Sequence, residues 1–197
     1  MIGAIALALL VACHAEDRTG QPETDTTGTV QAAQDTSMST ATTTGVSGGT
    51  LSAMTPEDKE FVSKAGMGGL FEVQAGNMML QKGTNADAKA FAQRMVTDHS
   101  KANAELAQLA TAKGLALPTE LAGEHQATYD HLSSLSGAEL DKMYMQHMVE
   151  DHQKDVGEFE KASTSATDGD VKAWAAKTLP TLQEHLAMAK DVAGKVK

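Results

Sequence analysis

From Thr55 onward, apolar residues recur at intervals of three and four in four long stretches, divided by two short connectors and one of more than twenty residues. That period belongs to the α-helix, and no run alternates apolar and polar residues as a half-buried strand would. A chain patterned in this way can bury its apolar stripes only by packing helix on helix. Local signals place the ends. Thr55, Pro56 and the acids Glu57 and Asp58 open helix A, which runs to about Lys82 and stops at Gly83. Asn85 caps helix B, which runs to about Lys113 before Gly114 and Pro118. Helix C starts near Ser136 and Gly137 and runs to about Ala162, and Asp168 or Asp170 caps helix D, which continues to the C-terminus. The short connectors make A–B and C–D antiparallel neighbours. The long one, with a short helix near 120–135, is a crossover. The expected fold is therefore all-α, a ferritin-like four-helix bundle over 55–197 with one long B–C crossover.

The segment before the bundle cannot join it. Ile2 to Ala12 is apolar or small throughout and ends at Cys13, too short for a mature membrane span but the length of a signal-peptide core. Leu10-Val11-Ala12-Cys13 is similar to the bacterial lipobox, in which the cysteine is lipidated and becomes the new N-terminus. An ordinary signal peptide with a chance cysteine is the alternative. No Lys or Arg precedes the apolar run, so a start codon further upstream is expected. Residues 14–54 are rich in Thr, Ser, Gly, Gln and Asp and nearly free of large apolar side chains, the composition of a flexible tether. The chain is thus expected in the cell envelope on the periplasmic side, its membrane partner reached through a lipid on Cys13, with the outer membrane the expected anchor surface. A net charge of -10 argues against nucleic acid. Cys13 is the single cysteine, so disulfides and multi-thiolate metal sites are excluded.

Function is carried by polar residues that fall where a core should be. On helical wheels Glu72 lies near the centre of the inward stripe of helix A, whose other members are Phe61, Ala65, Gly68, Gly69, Val73, Ala75, Gly76, Met79 and Leu80. Asp98 and His99 flank the midline of helix B, Asp151 and His152 that of helix C, and His185 lies inside the stripe of helix D while Glu184 points away. Glu72, His99, His152 and His185 each sit about 14–17 residues into their helix, about 21–25 Å along the axis, so four helices bring polar groups to one layer. A short repeat underlines this: Met95-Val96-Thr97-Asp98-His99-Ser100-Lys101 is echoed by Met148-Val149-Glu150-Asp151-His152-Gln153-Lys154. A buried carboxylate is costly unless protonated, paired or metal-bound. One Glu, two Asp and three His suit a divalent cation, with Fe, Zn or Mn ahead of Cu. A metal-free layer of Asp–His and Glu–His hydrogen bonds, or a wet and poorly buried cluster, would use the same residues. Met95, Met148, Met143 and Met188, three or four residues from histidines, are core fillers on the ordinary reading and soft Cu(I) ligands on the sharper one. His147 is placed at the rim, His125 and His131 on the surface, and Pro180 is expected to free the Ala176 carbonyl and bend helix D.

Several of these runs resemble a known family. Asp58-Lys59-Glu60-Phe61, Phe91-Ala92-Gln93-Arg94-Met95-Val96-Thr97-Asp98-His99 and Leu179-Pro180-Thr181-Leu182-Gln183-Glu184-His185-Leu186 are similar to an exported bacterial domain of unknown function, whose members carry the names outer-membrane protein or lipoprotein and are classed as ferritin-like. The resemblance implies a fold and a location, and no activity. The Glu-x-x-His spacing of di-iron oxidases is missing, because here the acid directly precedes the histidine. The expected function is an envelope-anchored bundle that senses, stores or buffers a metal rather than an enzyme. The alternative is a metal-free structural or interaction module of the envelope, connected with stress.

Overall fold

The computed structural model describes residues 53–196; Cys13, the apolar leader and nearly all of the expected tether lie outside the described residues. Five helices and no strand occur among the described residues: α1 (Pro56–Lys82), α2 (Ala86–Ala112), α3 (Gly123–Ser134), α4 (Gly137–Ser165) and α5 (Gly169–Ala193). The caps act as their chemistry dictates. Thr55 Oγ1 accepts from the Asp58 N–H while Asp58 Oδ2 accepts from the Thr55 N–H, a closed capping box. Asn85 accepts from Ala88, and Asp168, rather than Asp170, caps α5 by accepting from Asp170 and Val171. At the start of α4 Gly137 has φ 59°, a left-handed backbone that glycine alone adopts without strain. α4 runs three residues beyond the expected Ala162, to Ser165.

Buried acids fix which helix ends meet. Asp141, near the start of α4, accepts from the Thr84 N–H at 2.9 Å, the Thr84 hydroxyl at 2.5 Å and the Asn85 N–H at 2.8 Å. That ties α4 to the α1–α2 turn. At the opposite end Asp58 accepts from the N–H groups of Thr167 and Asp168, and Lys113 Nζ lies 2.7 Å from both Asp168 and Asp170. So α1 runs one way, α2 and α4 return, and α5 runs with α1. The link from α2 to α4 must then travel the length of the helices, about 40 Å for 27 residues, and α3 lies on this path against α1 and α4. Two short hairpins and one long crossover are as expected from the connector lengths.

The core is two apolar clusters rather than one. The first holds Phe71, Met79, Phe91, Met95, Tyr144 and Met148; the second holds Val62, Leu106, Phe159, Trp174 and Leu182. Met54, assigned to the tether on composition, is buried in the second cluster. Along α2, α4 and α5 the polar layer falls between the two clusters, and on α1 Glu72 follows Phe71 at the edge of the first. The inward stripe of α1 differs from the wheel: Val62, Phe71 and Met78 are buried, while Val73 and Leu80 are only half-buried. A wheel seeks one covered face, but α1 is covered by α2, α4 and α3, so its buried arc is broader and rotated. Helix α5 continues through Pro180, which sits on the exposed side together with Ala176.

Candidate metal centre

Glu72, His99, His152 and His185 come from four different helices, and all are at most 6 % exposed. The ring centroids of His99, His152 and His185 lie 5.3–5.8 Å apart pairwise, and one ring nitrogen of each lies within 4.8 Å of the other two. What the remaining ring nitrogens do decides the chemistry. His152 Nδ1 lies 3.0 Å from the Met148 carbonyl oxygen, one helical turn back, and as a donor to it leaves Nε2 with a free lone pair. His185 Nε2 lies 2.9 Å from Asp98 Oδ2, which leaves Nδ1 free in the same way. His99 Nδ1 lies 2.6 Å from Glu72 Oε2. That approach is short but off the line of a hydrogen bond, and both Glu72 oxygens are without an aligned donor; the contact itself is firm and leaves His99 Nε2 free. Histidines that bind metals are oriented in this manner, through a carbonyl or carboxylate on the far nitrogen.

His99 Nε2, His152 Nε2 and His185 Nδ1 are buried and have no hydrogen-bond partner. Leaving such groups unpaired costs roughly 1–3 kcal/mol each. Two ligands of a tetrahedral ion with bonds of about 2.0–2.1 Å stand about 3.3 Å apart, and His152 Nε2 and Glu72 Oε1 are 3.3 Å apart. A cavity of about 20 Å³ adjoins the site, lined by Gly68, Gly69, Glu72, His99, Asn103 and Trp174 among others, with room for about one water. Gly69 lets Asn103 close onto α1 beside it: a Cβ there would lie 2.0 Å from Asn103 Oδ1. A larger cleft, about 480 Å³, lies at the far end beside Phe61 and Lys161, remote from this chemistry.

Residues 41–192 match the model of a family described as a domain of unknown function (DUF4142). The chain belongs to that family. No curated protein matches this DUF4142 chain. Among solved structures, a DUF305 fragment from Deinococcus radiodurans superposes with a TM-score of 0.63 at 15% identity, over 72% of this chain and 98% of that one. A DUF305 protein from Streptomyces coelicolor, named as secreted, gives 0.60 at 14% identity over 71% and 93%. At these identities the likeness shows the fold alone. The family description gives no activity, and it speaks of neither a ferritin-like nor a lipoprotein character.

The other residues singled out in this DUF4142 sequence divide. Asp98 stands one step back from the imidazoles: it holds His185 and is paired with Arg94, whose other end reaches Glu184 at 3.6 Å on the surface. Burial works to raise the Asp98 carboxyl, but the hydrogen bonds from Arg94 and His185 outweigh it and keep it below its usual range. Asp151 faces a different group, in which it meets Glu72 and Asp155. The helical wheel passed over Asp155. His125, expected on the surface from its place in the crossover, is half-buried with its ring 5.6 Å from that of Phe71; His147, expected at the rim, packs on Phe71 at 5.1 Å. His131 is exposed as expected. Met95 and Met148, a turn before His99 and His152, are fully buried among the apolar side chains of the first cluster. Burial pushes His99 and His185 each down to about 4, lowers His152 as well, and raises Glu72 to about 8. Near neutral pH the layer therefore presents three uncharged imidazoles beside a protonated carboxyl, and a cation would take the place of the Glu72 proton.

Proposed function

We propose that this domain holds one divalent transition-metal ion between its four long helices, bound by His99, His152 and His185 with Glu72 as the fourth ligand. The observation that carries the reading is the convergence of three buried imidazoles, one ring nitrogen of each within 4.8 Å of the others, each ring holding one nitrogen without a partner. Three imidazoles and a carboxylate suit Zn, Fe and Mn, and zinc binds such donors more tightly than the other two. Asp98 orients His185 and does not ligate. Room for a water but not for an organic substrate favours storage, buffering or sensing over turnover. The test uses the full chain, stripped with a chelator, incubated with zinc and passed through a desalting column. About one zinc ion retained per chain is expected; retention of none, after trial of iron and manganese as well, overturns the reading. The rival, a metal-free polar layer, draws on the 2.6 Å approach of His99 to Glu72 and is the outcome if no metal stays.

We further propose that the bundle is ferritin-like in connectivity and is exported and tethered to the outer membrane through a lipid on Cys13. Support comes from the Leu10-Val11-Ala12-Cys13 run, from the low-complexity stretch after it and from the secreted designation of the Streptomyces coelicolor protein. No helix among the described residues is long and apolar enough to cross a membrane. Cys13→Ser is expected to move the protein from the membrane fraction to the soluble fraction after cell lysis. A variant that still sediments with membranes removes the anchor.

A further inference from the structure

We propose a second cation site in this chain, built from carboxylates alone: Glu72, Asp151 and Asp155, which share Glu72 with the histidine site and open to the surface beside α3. It rests on the histidine-site reading only in that shared residue. One oxygen from each of the three acids lies within 4.8 Å of the others. Three carboxylates so close repel one another unless protons or a cation intervene. No Lys or Arg nitrogen lies within 4.0 Å of the Asp151 or Asp155 carboxylate among the described residues, and the salt bridges of Lys64, Lys113 and Lys177 go elsewhere. The cluster is more than a patch of surface acid, because Glu72 is 1 % exposed with no aligned donor on either oxygen, its close contacts being His99 Nδ1 at 2.6 Å and His152 Nε2 at 3.3 Å, and Asp151 Oδ2 is also buried without a partner.

The surroundings give a way in. A cleft of about 220 Å³ between α1, α3 and α4 is lined by His147, Asp151, Asp155 and Glu158, with Lys64 and Lys154 also on its wall. It exists because α3 lies over this side of α1 and α4 and because Gly68 adds no side chain, with nothing within 4 Å of where a Cβ would stand. Gly68 lines both this cleft and the small cavity against His99. An all-oxygen donor set with space for water suits a hard cation that keeps part of its hydration, such as manganese(II), magnesium or calcium, whereas the imidazole set selects a borderline ion. The layer thus has two chemically unlike halves that meet at Glu72: a sealed nitrogen-rich half and a hydrated oxygen-only half.

The experiment titrates manganese(II) into the full chain after zinc loading and reads free manganese by electron paramagnetic resonance. The wild type is expected to bind about one manganese per chain, and Asp151→Asn with Asp155→Asn to weaken this by about 100-fold while zinc is retained. Asp155→Asn alone, the milder change, is expected to cost about ten-fold. These replacements keep shape and remove like charge, so the circular dichroism melt should be unchanged or raised. Manganese binding that is absent in the zinc-loaded wild type, or equal in the double variant, overturns the second site. If neither zinc nor iron is retained yet manganese binds and is lost in the variants, the carboxylate site stands and the histidine-site reading falls.

Discussion

Replacing His99 and His152 together by alanine is expected to abolish the rise in melting temperature that zinc gives the wild type. Zinc at about 1,000 times its dissociation constant stabilises a folded state by about 4 kcal/mol. For a domain of this size that is a rise on the order of 10 °C. In the proposed site these residues supply two of the four ligands, and Glu72 with His185 alone cannot complete a tetrahedral set. The comparison is made within each protein, with zinc against with chelator, because the double truncation also changes packing: both side chains are buried, and cavities of this kind cost roughly 2–5 kcal/mol. His131→Ala, on the exposed face of α3, is the control and keeps the full zinc response. A double variant that still gains 10 °C from zinc, on the order of the wild-type shift, would show that these two imidazoles are not ligands.

The histidine layer was legible in the sequence because its members obey the rule a helical wheel tests. His99, His152 and His185 each sit on the stripe facing the bundle axis, and equal depth along four helices brought them together. The ends were legible for the same local reason: Thr55, Asn85 and Asp168 cap with side-chain oxygens wherever the chain goes next. What escaped depends on α3. A wheel scores one covered face per helix, and α3 covers a second face on α1 and α4, which buries Phe71 and half-buries His147, Asp151 and Asp155. Asp151 was already a candidate beside the midline of its helix, and His147 and Asp155 stand four residues to either side of it. Without knowing where the crossover lies, those two flanking positions read as a solvated edge. Asp98 shows a related limit. Its position beside the stripe was right, but whether a carboxylate there ligates or orients depends on Arg94 one turn back and on which nitrogen of His185 it meets. Asp141 gave no such signal, because the Thr84 and Asn85 groups it holds lie more than fifty residues away in the chain.

The metal-free chain is expected to be most stable near about pH 6.5 and to lose stability on both sides, and zinc is expected to erase the alkaline loss. The acid limb comes from the imidazoles. His99 and His185 are held at about 4 against an ordinary 6.5, so below pH 6.5 the unfolded chain takes up protons that the folded chain refuses. Their contribution is complete above 6.5 and is lost as pH falls toward 4, at about 1.4 kcal/mol per pH unit for each. Glu72 runs the other way. Its carboxyl is raised from 4.5 to about 8, so its contribution is present below 4.5 and is lost as pH rises through 8. Between 4.5 and 6.5 two histidines oppose one glutamate, and the net slope favours the histidines by about one proton. Above 6.5 only the glutamate term remains among these three, and the slope reverses. Thermal melts of the full chain in chelator from pH 4 to 9 on the order of half-unit steps read both limbs. With zinc bound, the cation replaces the proton on Glu72, so its ionisation no longer costs stability and the melting temperature should stay level from about pH 7 to 8.5. The acid limb should instead steepen, because three imidazoles and the carboxylate must be protonated to expel the ion. If zinc leaves the alkaline limb in place, Glu72 does not face the metal, whatever the histidines do.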